Sequence, residues 1–191
     1  MDKQYGRAGG ANRQRGERGF DALARQRVVA IQLVNRRFQK RSTVFGADDK
    51  PGMGEVRASG SVPIASGESE ATRFAFRDLA VLKAVDVFQP DPAFCGGITE
   101  SMRIAALASA FNLRLSPHLW AGAPCFFAGL HICAASPASF VIEYSLGANP
   151  MIHDLVEEEV SVNDGMIAIP DRPGLGFTIA EKFLEAHACR S

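Results

Sequence analysis

VDVFQPDPAFCGGITE, residues 85–100, sets the reading of this chain. Val85, Val87 and Phe88 make a short run of strand-forming residues, Gln89-Pro90 ends it, and Asp91 follows at once. Cys95-Gly96-Gly97 then breaks the chain, and Ile98 to Leu113 reads as a helix. Ile98, Met102, Ala105, Ala106 and Ala110 are its expected apolar stripe and Thr99 its expected N-cap. A strand thus delivers an acid at its end and passes into a helix.

The same rhythm extends in both directions. Upstream, SVPIAS (61–66) is an apolar run that stops at Gly67-Glu68, and Thr72 to Ala84 carries Phe76, Leu79, Leu82 and Lys83 at helical spacing. Downstream, LRLSP (113–117) delivers His118. A helix over 124–135, with Pro at its start, returns the chain to FVIEYS (140–145), which carries Glu143. Glu68, Asp91, His118 and Glu143 are therefore separated by 23, 27 and 25 residues. Each interval suits one strand, one helix and two loops, so the four side chains are expected at one end of successive parallel strands, as in a (β/α) barrel. The tail differs: a hairpin is expected around Asn163-Asp164-Gly165, then a turn-rich crossing over 170–177 and a last helix, Ile179 to Ala188.

The chain has 191 residues, 47% of them apolar, with no run near the roughly 18 apolar residues of a membrane helix. It is too short for a whole barrel, which takes about 250 residues. Cys95, Cys125, Cys133 and Cys189 show no paired metal spacing and lie largely in apolar surroundings, so reduced thiols are expected rather than a disulfide framework. The zero net charge conceals two opposite parts. Residues 1–60 hold 13 Lys/Arg against 6 Asp/Glu, and residues 61–191 hold 8 against 15.

The basic part contains nine of the 18 glycines and one good apolar run, VVAIQLV (28–34). Three readings of it are open: a solvated basic arm, a nucleic-acid-binding segment, or a stretch translated in the wrong frame and joined to a genuine domain. Aromatic-basic interleaving is lacking, which disfavours nucleic acid. Asp2, Glu17 and Asp21 disfavour a transit peptide, and no secretory signal is read at the start.

Taken singly, the four polar residues have plain explanations. Glu68 can be a solvated loop charge, Asp91 before Pro92 a turn former, and His118 a cap of the next segment. Glu143 is harder to dismiss, because an acid inside FVIEYS sits in a strand where charge is costly unless paired.

Together, PIASGESE (63–70), VDVFQPDPAFCGGITE (85–100), SPHLW (116–120), IEY (142–144) and PDRPGLGF (170–177) carry a resemblance. In order and spacing they resemble the C-terminal barrel domain of the mandelate racemase and muconate lactonizing enzyme group of the enolase superfamily, especially its acid-sugar dehydratases. The fold this implies is α/β, the C-terminal part of a TIM-type barrel (about strands five to eight), with the N-terminal half and the capping domain absent. Residues 56–191 would be the partial barrel domain. Residues 1–55 would be a basic segment with little packed structure, outside the family.

The resemblance implies that Glu68 matches the third carboxylate ligand of a catalytic Mg²⁺. Asp91 and His118 match a dyad whose imidazole is the acid/base at the substrate α-carbon. Glu143 matches the acid that hydrogen-bonds the substrate carboxylate as it becomes an enediolate. Each residue type suits that chemistry, since a dianionic enediolate needs a hard cation and a hydrogen-bonding acid on its oxygens. The implied function is abstraction of the proton α to a carboxylate in a hydroxy acid or acid sugar, ending in dehydration or racemisation.

The chain also departs from the pattern. The family's two earlier metal ligands, often within a WFEEP-like motif, have no counterpart before Glu68, and neither does its Lys-x-Lys. Asp48, Asp49 and Glu55 are the nearest acids, with no strand in front of them. A single carboxylate holds Mg²⁺ poorly. The expected activity of the chain alone is therefore weak; the alternative is a non-catalytic remnant or interaction module. A half barrel also leaves an unpaired apolar sheet edge, so self-association is expected. Partners would be small-molecule hydroxy acids or acid sugars, with no nucleic acid and no membrane, in the cytoplasm.

Overall fold

The computed structural model describes residues 28–32, 48–145 and 147–188. Three βα units succeed one another. Strand β2 (Ala65–Ser66) leads to helix α2 (Thr72–Val81), β3 (Val87–Phe88) to α3 (Gly97–Ala110), and β4 (Arg114–Leu115) to α4 (Ala123–Ala135). The three strands are parallel, with Ala65 opposite Val87 and Val87 opposite Arg114. A parallel bridge from Leu115 to Ser139 carries the layer toward β5 (Ile142–Glu143).

Strand β1 (Val28–Gln32) lies parallel to β5, with Gln32 opposite Glu143. Its other side takes β7 (Met166–Ala168) antiparallel, and β7 pairs with β6 (Val162–Asn163). The expected hairpin is present. Asp164 and Gly165 at its tip both have positive φ, 50° and 72°, the pair of left-handed residues that matches strand twist in a two-residue turn. The four strands expected in one run thus divide between a three-stranded sheet, β2-β3-β4, and a four-stranded sheet, β5-β1-β7-β6.

The segment expected to carry little packed structure contains β1 and most of helix α1 (Lys50–Ser59), so the boundary at 55/56 falls inside a helix. The rest of it, 1–27 and 33–47, lies outside the described residues. Asp49, one of the acids with no strand in front of it, caps α1: its Oδ1 accepts from Gly52 N at 2.9 Å. Arg57 ties α1 to the loop before β3 by donating from Nε to Asp86 Oδ1 at 2.8 Å, while Ile64 N donates to Asp86 Oδ2.

Helices α2 and α3 end earlier than their periodicity suggests, for one reason. Lys83 and Asn112 adopt φ of 52° and 54°, and in each case the next residue, Ala84 or Leu113, returns its N–H to a carbonyl one turn back. These left-handed terminations satisfy the last carbonyls and turn the chain into β3 or β4. Leu82, read at helical spacing with Phe76 and Leu79, is 43% exposed as a result. Thr99 does not cap α3, because the cap is Gly96 in a left-handed conformation. The α3 stripe is also rotated from expectation: Ser101, Ile104, Ala105 and Ala108 are buried, while Ile98 is exposed. Glu100 turns inward with this face because Arg73 and Arg103 hold its carboxylate (2.8 and 2.9 Å).

Two apolar clusters result. Phe76, Leu79, Phe88, Ile104 and Leu115 form the one beneath the parallel sheet. Leu119, Phe126, Leu130, Ile142 and Ile167 form the other. Helix α4 is apolar on almost every side, as a helix buried between layers must be, and supplies Ile132 to the first cluster and Phe126 to the second. The last helix is α6 (Glu181–His187), after a one-turn α5 (Pro150–His153).

Candidate active site

All four polar residues singled out by spacing stand just past the C-terminal ends of β2, β3 and β4 or on β5. Glu68 follows β2 by way of Gly67, whose φ of 131° sends the chain sharply off the strand. A Cβ at Gly67 would meet Phe76 Cε1 at 2.6 Å, so this position needs glycine for space as well as conformation.

Sheet hydrogen bonds set the register of the other residues. Gln89 N donates to Ser66 O (3.0 Å), Ser116 N to Phe88 O (2.9 Å), and His118 N to Pro90 O (3.1 Å). The last bond places His118 beside Asp91 across two neighbouring strand ends. His118 Nδ1 lies 2.9 Å from Asp91 Oδ2, and His118 Nε2 lies 3.4 Å from Glu68 Oε2. Because Asp91 Oδ2 can only accept when ionised, the proton of a neutral His118 belongs on Nδ1, which leaves the Nε2 lone pair free. Asp91 is almost enclosed, with its side chain 9% exposed, and Glu68 is open at 58%.

Glu143 completes the group. Its Oε2 is fully buried and has no hydrogen-bond partner among the described residues. Burial is the largest influence on its carboxyl and pushes the pKa above the usual carboxylate range; Glu68 and Asp91 act in the same direction. His118 and the Leu119 N–H oppose that shift. The net effect makes Glu143 easier to protonate than an ordinary glutamate, and in its protonated form it is a hydrogen-bond donor rather than a second anion.

Two further contacts hold Asp91, the first the bond of the turn former read in the sequence and the second not legible there. Ala93 N donates to Asp91 Oδ1 at 2.8 Å within the turn that follows β3. Cys125 Sγ donates to the same oxygen at 3.3 Å from 34 residues away. From sequence, Cys125 reads as one more cysteine in apolar surroundings. Its one local signal is its place after Gly122-Ala123-Pro124, at the start of the helix that follows His118.

The described residues do not fit Mg²⁺ by themselves. No group of three or more His, Cys, Asp and Glu able to hold a metal occurs among them. Asp91 is committed to His118, Glu143 has its Oε2 buried, and Glu68 remains as one open carboxylate donor. Mg²⁺ asks for near-octahedral oxygens and gives up water reluctantly.

Residues 45–183 match the family described as enolase C-terminal domain-like. The chain is 36% identical over 130 residues to arabinonate dehydratase of Saccharolobus solfataricus, covering 68% of this chain and 35% of that protein. It is 34% identical over 136 residues to D-galactonate dehydratase of Xanthomonas euvesicatoria, covering 68% and 36%. A solved structure of a mandelate racemase/muconate lactonizing enzyme from Jannaschia sp. CCS1 superposes with a TM-score of 0.70 at 34% identity, over 77% of this chain and 37% of that one. The chain belongs to the enolase superfamily, in its mandelate racemase and muconate lactonizing enzyme group.

All four site residues fall inside the matched region of this superfamily member, whereas β1 lies before it. Its βα units are those of the C-terminal part of the family barrel. The chain spans about a third (35%) of the length of the curated relatives it matches. Among the described residues, no helix is long and apolar enough to cross a membrane. Cys95, Cys125 and Cys133 are free thiols, and Cys189 lies outside the described residues.

Proposed function

We propose that this chain carries the proton-transfer part of a site that removes the proton α to a carboxylate in a hydroxy acid or acid sugar, leading to dehydration. The observation that supports it most is the 2.9 Å contact between His118 Nδ1 and Asp91 Oδ2 at the open rim. With Nδ1–H directed to Asp91, Nε2 takes the α-proton, and the C–H electron pair passes into the carboxylate as an enediolate. Protonated Glu143 donates a hydrogen bond to one of the oxygens on which charge develops. The electron pair then expels the β-hydroxyl, which leaves as water with the proton held on Nε2. Racemisation would instead need a proton delivered to the opposite face, and the quartet offers one imidazole. The relatives named as arabinonate and galactonate dehydratases support the acid-sugar class.

An enediolate in this family would also require a divalent cation. Mg²⁺ would supply positive charge on the substrate oxygens, with Glu68 as one ligand and further carboxylates from outside the described residues. That single donor also supports a second reading, a non-catalytic module that keeps the barrel half and has lost metal binding.

The test supplies a fragment with the capping domain and first four strands of an acid-sugar dehydratase, then tracks exchange of the substrate α-proton with solvent deuterium by NMR. Exchange that appears on mixing and is lost in His118→Asn is the expected result. A well-folded complex without exchange would favour the non-catalytic reading, and fast exchange by the chain alone would refute the need for added ligands.

A further inference from the structure

We propose that Cys125 is a positioning residue: its thiol proton, donated to Asp91 Oδ1, locks the carboxylate in the rotation that aims Oδ2 at His118 Nδ1. The inference rests on the proposed role of His118. It assigns part of the dyad's geometry to a residue on a third element, the first turn of α4.

The two oxygens of Asp91 have separate partners. Oδ2 meets His118 at 2.9 Å, and Oδ1 meets Ala93 N at 2.8 Å and Cys125 Sγ at 3.3 Å. The Ala93 contact is local, two residues along the same turn, and moves with Asp91 if that turn shifts. The Cys125 contact is different in kind. It ties the loop after β3 to a helix that begins after β4, the strand that presents His118. Rotation of the carboxylate about its Cβ–Cγ bond would break both Oδ1 contacts as well as the bond to His118. A free carboxylate resists such rotation weakly, since that torsion is broad.

Cys125 is suited to the task. Its neighbourhood is rigid, with the residue 7% exposed in a cluster with Leu119, Phe126 and Leu130, so its sulfur cannot wander. Burial, reinforced by the negative charge of Asp91, pushes its pKa up to about 12, so the thiol keeps the proton it donates. A thiolate at that place would put two anions in contact. Sulfur is a weak donor, but a charged acceptor strengthens the bond and a 3.3 Å separation is short for sulfur.

The test reads hydrogen bonding directly in the full chain and does not depend on turnover. In infrared spectra, the S–H stretch of Cys125, assigned by subtracting the spectrum of Cys125→Ser, should lie at lower frequency than a free thiol and move back in Asp91→Asn. In nitrogen-15 NMR at alkaline pH, His118 should be predominantly the Nδ1–H tautomer. Cys125→Ala should shift the tautomer ratio toward Nε2–H by about threefold to tenfold, the range expected for one hydrogen bond of ordinary net strength, since the weak sulfur donor offsets the charged acceptor. Cys125→Val, which fills the space without a donor, should shift it likewise, and Cys125→Ser should restore most of it. A Val variant with the wild-type ratio would show that packing alone suffices and would overturn the proposal. If neither apolar variant folds, an S–H band at the free-thiol frequency in the wild type would overturn it. Loss of α-proton exchange with these signatures intact would count against the proposed function and leave the positioning role standing.

Discussion

Replacing Glu143 by Gln should stabilise the chain at neutral pH. The carboxyl has one oxygen that is fully buried without a partner among the described residues, and burial holds its pKa above the usual range. A group whose folded pKa is raised contributes most below its unfolded pKa, about 4.3 for Glu. That contribution is lost as pH rises through the folded value. At pH 7 the fold therefore bears either an ionised, poorly solvated carboxylate or the cost of keeping it protonated. Gln has nearly the same shape and no charge, so it removes this penalty while leaving one buried polar group. The cost of a buried unsatisfied polar group, about 1–3 kcal/mol, stays in the variant, whereas relief of the charge is expected to give about 1–2 kcal/mol, or a rise in Tm of about 3–6 °C for a chain of this size. Thermal and urea unfolding of both proteins from pH 4 to pH 8 would measure it. The curves should converge near pH 4, separate as pH rises, and run parallel above the folded pKa. A variant less stable than wild type at pH 7, with the deficit shrinking on acidification, would refute the reasoning. It would mean that Glu143 is an anion held favourably by His118.

Gly67→Ala should destabilise by about 2–4 kcal/mol in urea titrations, because the new Cβ meets Phe76 at 2.6 Å at a positive φ and Phe76 is fully buried edge-on against Phe88; an unchanged midpoint would show the bend to be slack. Glu100 has its pKa lowered to about 2, chiefly by the Arg73 N–H and then by the Arg103 guanidinium. Its contribution is present above the ordinary carboxylate range and lost as pH falls toward 2, so Glu100→Gln should flatten the acid limb of the stability profile. Calorimetric titration of the chain alone should show no saturation by Mg²⁺ at ~1 mM, and tight stoichiometric binding would contradict the single-donor reading of Glu68.

Intervals and residue types in the sequence were enough for the βα rhythm, the hairpin at Asn163-Asp164-Gly165 and the candidate quartet. They suffice because a repeated strand, loop and helix unit of near-constant length returns the chain to the same rim of the sheet, so residues 23, 27 and 25 positions apart emerge there together. Boundaries were less legible. Leu82 and Leu113 continue an apolar pattern but flank left-handed residues, and nothing in Lys83 announces positive φ as a glycine would. The α3 face is not legible because Glu100 looks like a solvent residue until Arg73, 27 positions away, folds against it. Ala30 and its neighbours in β1 sit in a segment whose composition suggests little packed structure, and the pairing that makes them a strand comes from β5 and β7, more than 100 residues later.

The sequence by itself determined which side chains would stand at the rim of the strands, because spacing fixes where a repeated unit ends. Tertiary structure alone decided their states. The tautomer expected of His118 depends on Asp91 Oδ2, the raised pKa of Glu143 on its burial, and the rotation of Asp91 on Cys125. Each is a property of distance and dielectric between residues far apart in the chain. Such quantities have no value until the strands are brought side by side.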